Sequence, residues 1–160
     1  EAVLARRADE VSRVDQQLTD LIARMWPTML QARGIGLAAP QIGESLRLAI
    51  VDLSEDLPQE GRLLLINPVI LEQEGQALGE EGCLSLPEVY LKVARSTRIV
   101  LRYQDLEGRE FTREFRDFPA RVIQHELDHL EGRVIVDRVS PLKRQLARKQ
   151  IERLKRDGRW

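Results

Sequence analysis

Apolar residues recur every three or four positions between residues 14 and 30, which predicts an amphipathic helix. Asp15 or Thr19 could cap the start of this helix with a side-chain oxygen. Pro27 lies inside the pattern and should kink the helix or end one hydrogen-bonded run, because proline has no backbone N–H. The face that the helix would bury carries Leu18, Leu21, Ile22, Met25, Trp26, Met29 and Leu30.

Short strand-like runs follow the helix, over residues 46–53, 63–71, 76–85, 97–103 and 109–115. The sequence Asp-Leu-Glu-Gly at residues 105–108 separates the last two runs and predicts a hairpin turn. The stretch from residue 33 to residue 43 carries three glycines and a proline instead. That composition is typical of a loop with special backbone requirements.

Helical spacing returns over residues 118–130. Asp117 is a candidate N-cap, Pro119 lies in the first turn, and Gly132 is placed to end the helix. A last helix is predicted over about residues 141–155. One helix, then strands without regular βαβ alternation, then further helices indicates an α+β fold with a mostly antiparallel sheet.

The composition narrows the class of protein. A chain of 160 residues corresponds to one domain, residues 1–160, and 42% hydrophobic with 32% charged residues is typical of a globular chain. The 25 basic and 26 acidic residues create no overall field that would favour DNA, and no apolar run is long enough for a membrane span. The single cysteine excludes a disulfide framework. We expect a cytoplasmic protein, or an organellar one whose transit peptide was removed, since the chain starts at Glu1.

The strongest chemical signal is the sequence His-Glu-Leu-Asp-His at residues 125–129. Positions four apart share one face of a helix, so His125 and His129 can hold one metal ion. Glu126 lies beside the first ligand, where its carboxylate can act as general base on a water. Two incidental surface histidines would be the alternative, but both histidines of the chain fall in this one motif. We therefore predict a metal site.

A catalytic metal usually has three protein ligands, so a third must come from elsewhere. Ile135 stands where a metzincin would place its third histidine. Glu131 lies too close to the motif, and Glu152 belongs to a basic terminal helix, so both are poor candidates. Cys83 is the remaining candidate. A lone cysteine is most often an unreactive packing residue, but the glycine beside Cys83 and the lack of another third ligand favour Cys83 as the ligand.

Residues 34–41 read Gly-Ile-Gly-Leu-Ala-Ala-Pro-Gln, which alone is a weak motif. Glycine and alanine allow another backbone to approach closely, as at a peptide-binding edge. The Gln41 amide could donate a hydrogen bond to a developing oxyanion. A tight connection after a helix is the alternative interpretation.

Three blocks in this order, residues 34–41, Glu-Gly-Cys-Leu-Ser at 81–85 and the histidine motif, resemble the three signature motifs of peptide deformylases. Ser-Pro-Leu-Lys at residues 140–143 also fits, so the resemblance covers nearly the whole chain. It implies mostly antiparallel sheets packed around a central metal-binding helix, with an N-terminal and a C-terminal helix. It also implies removal of the formyl group from the initiating N-formylmethionine of nascent bacterial or organellar proteins, with release of formate.

The resemblance also implies a role for each matching residue. The metal, typically Fe(II) with Zn, Ni or Co able to replace it, would be held by Cys83, His125 and His129. Glu126 would be the acid–base group. Gln41 and the backbone N–H of Leu84 would stabilise the oxyanion.

The substrate should lie extended along Ile35 and Gly36, with its methionine side chain in an apolar pocket. We expect Ile35, Phe118, Val122 and His125 to surround that pocket. Tyr90 departs from the family pattern, since many bacterial members carry arginine there, and this changes the contacts at the mouth of the site.

Two other functions share part of this pattern. A metalloprotease acting on ordinary peptide bonds would use the same helix motif, but this chain offers no good third metal ligand outside Cys83. A binding module with a structural metal would need a closed four-ligand site, and the chain has no fourth cysteine or histidine.

The C-terminal segment is strongly basic. Residues 141–160 carry eight basic and two acidic side chains, a local charge of +6. An apolar stripe for docking is predicted at Leu142, Leu146, Ile151 and Leu154. The basic side chains form either a solvated face or, as the family resemblance suggests, a contact with ribosomal RNA.

Overall fold

The computed structural model describes residues 2–59 and 61–160. Three α-helices and seven strands make up most of this described part, which confirms the α+β class. Their bounds are α1 Gln16–Gln31, β1 Gly36–Ala38, β2 Leu48–Asp52, β3 Arg62–Glu74, β4 Ala77–Cys83, β5 Leu86–Arg95, β6 Arg98–Gln104, β7 Glu110–Arg116, α2 Asp117–Leu130 and α3 Pro141–Arg156. Short 3-10 turns lie at Ala2–Ala5, Ala39–Ile42 and Ile135–Arg138.

The strands form two antiparallel sheets. Five strands pair in the order β1-β2-β3-β6-β7, and β4 pairs with β5 in a separate two-stranded sheet. The apolar face of α2, with Ile123 and Leu127, packs on the five-stranded sheet against Leu65, Leu101 and Phe115. This burial fixes α2 against the sheet and determines which way its polar residues point.

Helix α1 confirms the first predicted element. The Asp15 side chain accepts from the Leu18 amide at 2.9 Å and caps the helix. Pro27 does not end the helix, which continues to Gln31 because fully buried Met25 and Met29 hold its last turns against the core. Leu30 was predicted on the buried face but is exposed at the end of the helix.

Two stretches differ from the sequence prediction. The segment 33–43, predicted as a loop, contains β1, whose Gly36–Ala38 pair with residues 49–51, and a 3-10 turn. Strand β5 was not predicted at all. Its pairing with β4 is irregular where Gly82 and Cys83 lie opposite Tyr90 and Leu86, so the alternation that marks a strand is broken.

The ends of α2 partly follow the prediction. Arg116, not Asp117, is the N-cap, because Asp117 is already the first residue of the helix. Asp117 has a left-handed φ of 55°. Gly132 follows the C-terminus of the helix as predicted, at φ 74°. A side chain there would lie within 3 Å of the backbone of Ala5 and Arg6, so only glycine fits.

Helix α3 buries a different face from the predicted one. Ala147 and Leu154 are buried and Ile151 is partly buried, whereas Leu142 and Leu146 are 65% and 57% exposed. The predicted stripe mixed residues of two faces, because at about 100° per residue Leu142 and Leu146 lie roughly 180° and 140° around the helix from Ile151. Within the described part of the chain, no helix is long and apolar enough to span a membrane.

Candidate active site

The polar face of α2 meets the end of β4 at a cluster of potential metal ligands. One donor atom from each of Cys83, His125 and His129 lies within 4.8 Å of the other two. The Cys83 Sγ is 3.3 Å from His129 Nε2. One thiolate and two imidazoles form a donor set that suits iron, zinc, nickel or cobalt, and three protein ligands leave a position for substrate or water. The three predicted ligands thus lie together and fit a divalent metal.

His125 is oriented by a carboxylate that the sequence analysis missed. Its Nδ1 lies 2.8 Å from Glu81 Oε1. Because an ionised carboxylate only accepts, this contact places the proton on Nδ1 and leaves Nε2 free for a metal. Glu81 in turn accepts from Arg95 at 2.9 and 3.0 Å and from Arg121 at 2.7 Å. Although burial raises the pKa of Glu81, its bonds to His125 and Arg95 lower the pKa to about 2.

A second buried carboxylate extends this network behind α2. Asp128 accepts from Arg95 at 2.6 Å and from Arg138 at 2.9 Å. Burial raises the pKa of Asp128, but the bonds from Arg138 and Arg95 outweigh it and the pKa falls below its ordinary value. Arg95 therefore joins Glu81, the carboxylate that orients His125, to Asp128, the residue directly before His129.

This network should govern stability in acid. Since the pKa of Asp128 is lowered on folding, its contribution is complete above the ordinary value of 3.8 and is lost as pH falls through the folded value. Asp128→Asn should lower the free energy of unfolding at pH 7 by about 3–5 kcal/mol, since Arg95 and Arg138 lose a charged partner. Its melting temperature should also fall less steeply below pH 4. Thermal denaturation across pH measures both effects, and Glu110→Gln, in an exposed ion pair, is the control. An acid slope equal to the native one would contradict the assignment.

Glu126 faces the cluster from inside the protein. The residue is only 4% exposed, and its Oε2 has no hydrogen-bond partner among the described residues. Its carboxylate fills the space beside Gly36, where a Cβ would lie 2.5 Å from Glu126 Oε1. Burial raises the pKa of Glu126, and the nearby His125 and His129 only partly offset this effect. A buried carboxyl with a raised pKa beside metal ligands suits a group that takes up and returns protons.

Gln41 points its amide nitrogen at the site. The Ala38 amide donates to Gln41 Oε1 at 2.9 Å, so the amide group is held with Nε2 on the other side. Nε2 lies 3.2 Å from Ser85 Oγ and 3.7 Å from Cys83 Sγ. Leu84 follows Cys83 directly and, like Gln41, lines the pocket beside the cluster.

The ionisation of Cys83 and His125 is coupled. Burial raises the pKa of the Cys83 thiol, yet its contacts with His125 and His129 lower it to about 6. Burial lowers the pKa of His125, yet Cys83 and Glu81 raise it to about 10. The site therefore pairs the thiolate form of Cys83, which is the form that ligates a metal, with a protonated His125, whose Nε2 proton a bound metal would replace.

A pocket of about 570 Å³ opens beside the cluster. Val122 is buried in its wall, Ile35 and Phe118 are half-exposed along it, and Gly36 lies in the lining next to Glu126. All four predicted substrate residues thus line one cavity, and His129 alone of the predicted site residues lies outside its lining. Tyr90 stands at the rim, also within the lining, with its ring against the Gly82 backbone.

The chain is similar in sequence to known proteins of one family. Residues 1–145 match the family model described as polypeptide deformylase. A peptide deformylase of Acidobacterium capsulatum is 42% identical over 99% of this chain and 93% of its own length. One from Alkalilimnicola ehrlichii is 45% identical over 95% of this chain and 85% of its own.

The fold is shared as well. The crystal structure of a peptide deformylase from Legionella pneumophila superposes with a TM-score of 0.90 at 39% identity, covering 99% of this chain and 92% of that one. Because sequence and fold agree over almost the whole chain, this protein is an enzyme that belongs to the polypeptide deformylase family.

Proposed function

We propose that the chain is a metal-dependent hydrolase that removes the formyl group from N-formylmethionine at the start of nascent polypeptides and releases formate. One observation carries this proposal: Cys83, His125 and His129 converge beside Glu126, and all of these except His129 line an open pocket. Residues 1–160 act as one catalytic domain. Since its relatives named above are bacterial, we place it in a bacterial cytoplasm, or in an organelle of bacterial type.

Cys83, His125 and His129 would hold the metal, for which we propose Fe(II), with Zn, Ni or Co able to replace it. A metal held there supplies Lewis-acid activation of water and of the formyl carbonyl. The thiolate ligand makes the site softer than a three-histidine site, which suits iron.

The protein groups divide the remaining work. Glu126 takes a proton from the water that attacks the formyl carbon and returns it to the leaving amine. The Gln41 amide and the Leu84 N–H donate to the oxygen on which negative charge develops. The substrate backbone lies along Gly36, and its methionine side chain enters the pocket between Ile35, Phe118 and Val122.

The activity is tested by measuring formate released from formyl-Met-Ala with and without a chelator. We expect release that stops when metal is removed and returns when Fe(II) or Ni(II) is restored. Unformylated Met-Ala is the control and should remain intact. Cleavage of Met-Ala without formate release would favour a peptidase and overturn the proposal.

Gln41 should act on turnover more than on binding. Gln41→Ala should lower kcat about 10²- to 10³-fold with a much smaller change in KM, because its donor acts on charge that develops only in the transition state. Steady-state kinetics on formyl-Met-Ala measure this split. Gln76→Ala, an exposed glutamine, is the control. A change confined to KM would mean that Gln41 binds substrate instead.

We further propose that the basic C-terminal helix binds the ribosome through RNA phosphates. Lys149, Arg153 and Arg156 lie on the exposed side of α3. Changing all three to Glu should abolish co-sedimentation with ribosomes at low salt and leave deformylation of a short peptide nearly unchanged. The control reverses three exposed arginines elsewhere, Arg13, Arg24 and Arg102. Ribosome binding that survives the reversal in α3 would make the helix purely structural.

A further inference from the structure

The outer wall of the pocket is formed by an irregular part of β5. Gly82 pairs with Tyr90, but the next residue of β4, Cys83, pairs with Leu86. Residues 87–89 therefore have no partner in β4 and form a bulge, which lies opposite the link between Gly82 and Cys83. Glu88 has a left-handed φ of 61° within this bulge. A glutamate in that conformation is unfavourable, so other contacts must hold it.

Those contacts come from the C-terminal helix and the residues that follow it. The Gln150 side chain donates from Nε2 to the Glu88 carbonyl at 2.9 Å. Arg159 donates to the Glu88 carboxylate at 2.6 Å. Beside them Val89, only 1% exposed, packs with Ala147 and Leu154 of α3. The C-terminal segment thus stabilises the bulge where pairing with β4 is lacking.

Residues 86–90 of β5, which include the bulge and the paired residue on each side of it, line the pocket. The Tyr90 ring lies on the Gly82 backbone, where a Cβ would be 2.7 Å from the ring. Gly82 directly precedes Cys83. Any shift of the bulge would therefore move the rim along which a peptide longer than the methionine has to pass.

We propose that Gln150 and Arg159 are positioning residues that hold the β5 bulge in its substrate-binding shape. This inference rests on the proposed function, since it concerns how the formylated peptide binds. A rim that is already ordered costs less free energy to organise when a peptide binds. The C-terminal segment thereby supports substrate affinity although neither residue lines the pocket.

The test compares the double variant Gln150→Ala, Arg159→Ala with Gln145→Ala, Arg148→Ala. The second pair removes the same two residue types from exposed positions of α3 whose side chains form no hydrogen bond or ion pair among the described residues. For formyl-Met-Ala-Ser, we expect the first variant to raise KM about three- to tenfold with kcat within twofold, and the second to change neither. Melting temperatures of both variants should stay within about 3 °C of the native value, because the broken contacts are exposed.

A second readout needs no turnover. Backbone amides of residues 86–91 should exchange with deuterium faster in the first variant than in the control or the native protein. Unchanged KM and unchanged exchange would overturn the inference, and so would a fall in kcat that matches the rise in KM. Absence of formate release by the native enzyme would instead refute the proposed function, while amide exchange would still decide whether the C-terminal segment holds the bulge.

Discussion

Glu126→Gln is expected to keep the metal and lose about a thousandfold in kcat on formyl-Met-Ala. The carboxylate is not one of the three clustered ligands, so metal content should stay at one ion per chain. Glutamine has nearly the same shape and fills the same space beside Gly36, so the loss would report the missing proton transfer and not a packing defect.

Metal content by elemental analysis and kcat must be measured on the same preparation. Glu152→Gln, on the exposed side of α3, is the matched control and should change neither. A Glu126→Gln enzyme with a near-native rate would show that another group carries the proton. Loss of metal together with rate would instead give Glu126 a role in holding the ion.

The second large effect is expected at Cys83. Cys83→Ser replaces a thiolate, favoured here by a pKa of about 6, with a hydroxyl that stays protonated. We expect metal affinity to fall by more than about 100-fold, because losing an outer partner of a ligand already costs up to that much. Activity should fall with metal content, and added metal should restore only part of it.

Equilibrium dialysis against a series of Ni(II) concentrations measures the affinity directly. Ser54→Ala, far from the cluster in sequence and exposed, is the control. Stoichiometric metal together with full activity in Cys83→Ser would exclude Cys83 as a ligand and leave two histidines without a third partner.

The part of the site that lies on α2 was predictable because its pattern is local. His125, Glu126 and His129 fall within five residues, and helix geometry alone brings them to one side. Cys83 and Gln41 were found by residue type and by resemblance to a family, since nothing local places them 3.7 Å apart.

The ionic support of the site was not predictable. Glu81 meets Arg95 across 14 positions and Asp128 meets the same arginine across 33. Glu81 and Arg95 lie in strands and Asp128 lies in a helix, and charged residues of both kinds usually point to solvent, so the sequence offers no sign that these three are buried together. Glu81 and Asp128 each belong to a sequence motif, but neither motif gives a sign of the arginine that joins them.

The missed strand β5 and the wrongly predicted buried face of α3 also have physical causes. Strand β5 was not predicted because its bulge, with Glu88 in a left-handed conformation, interrupts the alternation of apolar and polar residues that marks a strand. In α3, the leucines alone could not reveal which face docks, since small Ala147 lies at the centre of the buried side and Leu146 on the exposed side. Packing of a short side chain against Val89 decided the orientation.

Because His125, Glu126 and His129 belong to one helix, thermal motion cannot easily change their spacing. The cluster has in effect two moving parts, α2 and the end of β4, and they meet where Cys83 Sγ faces His129 Nε2 and where Glu81 holds His125. Adaptation of such an enzyme to cold or heat can therefore act on one distance, the one between α2 and the end of β4. Substitutions in the apolar layer under α2, far from any reacting atom, could change that distance while every ligand and proton carrier stays the same.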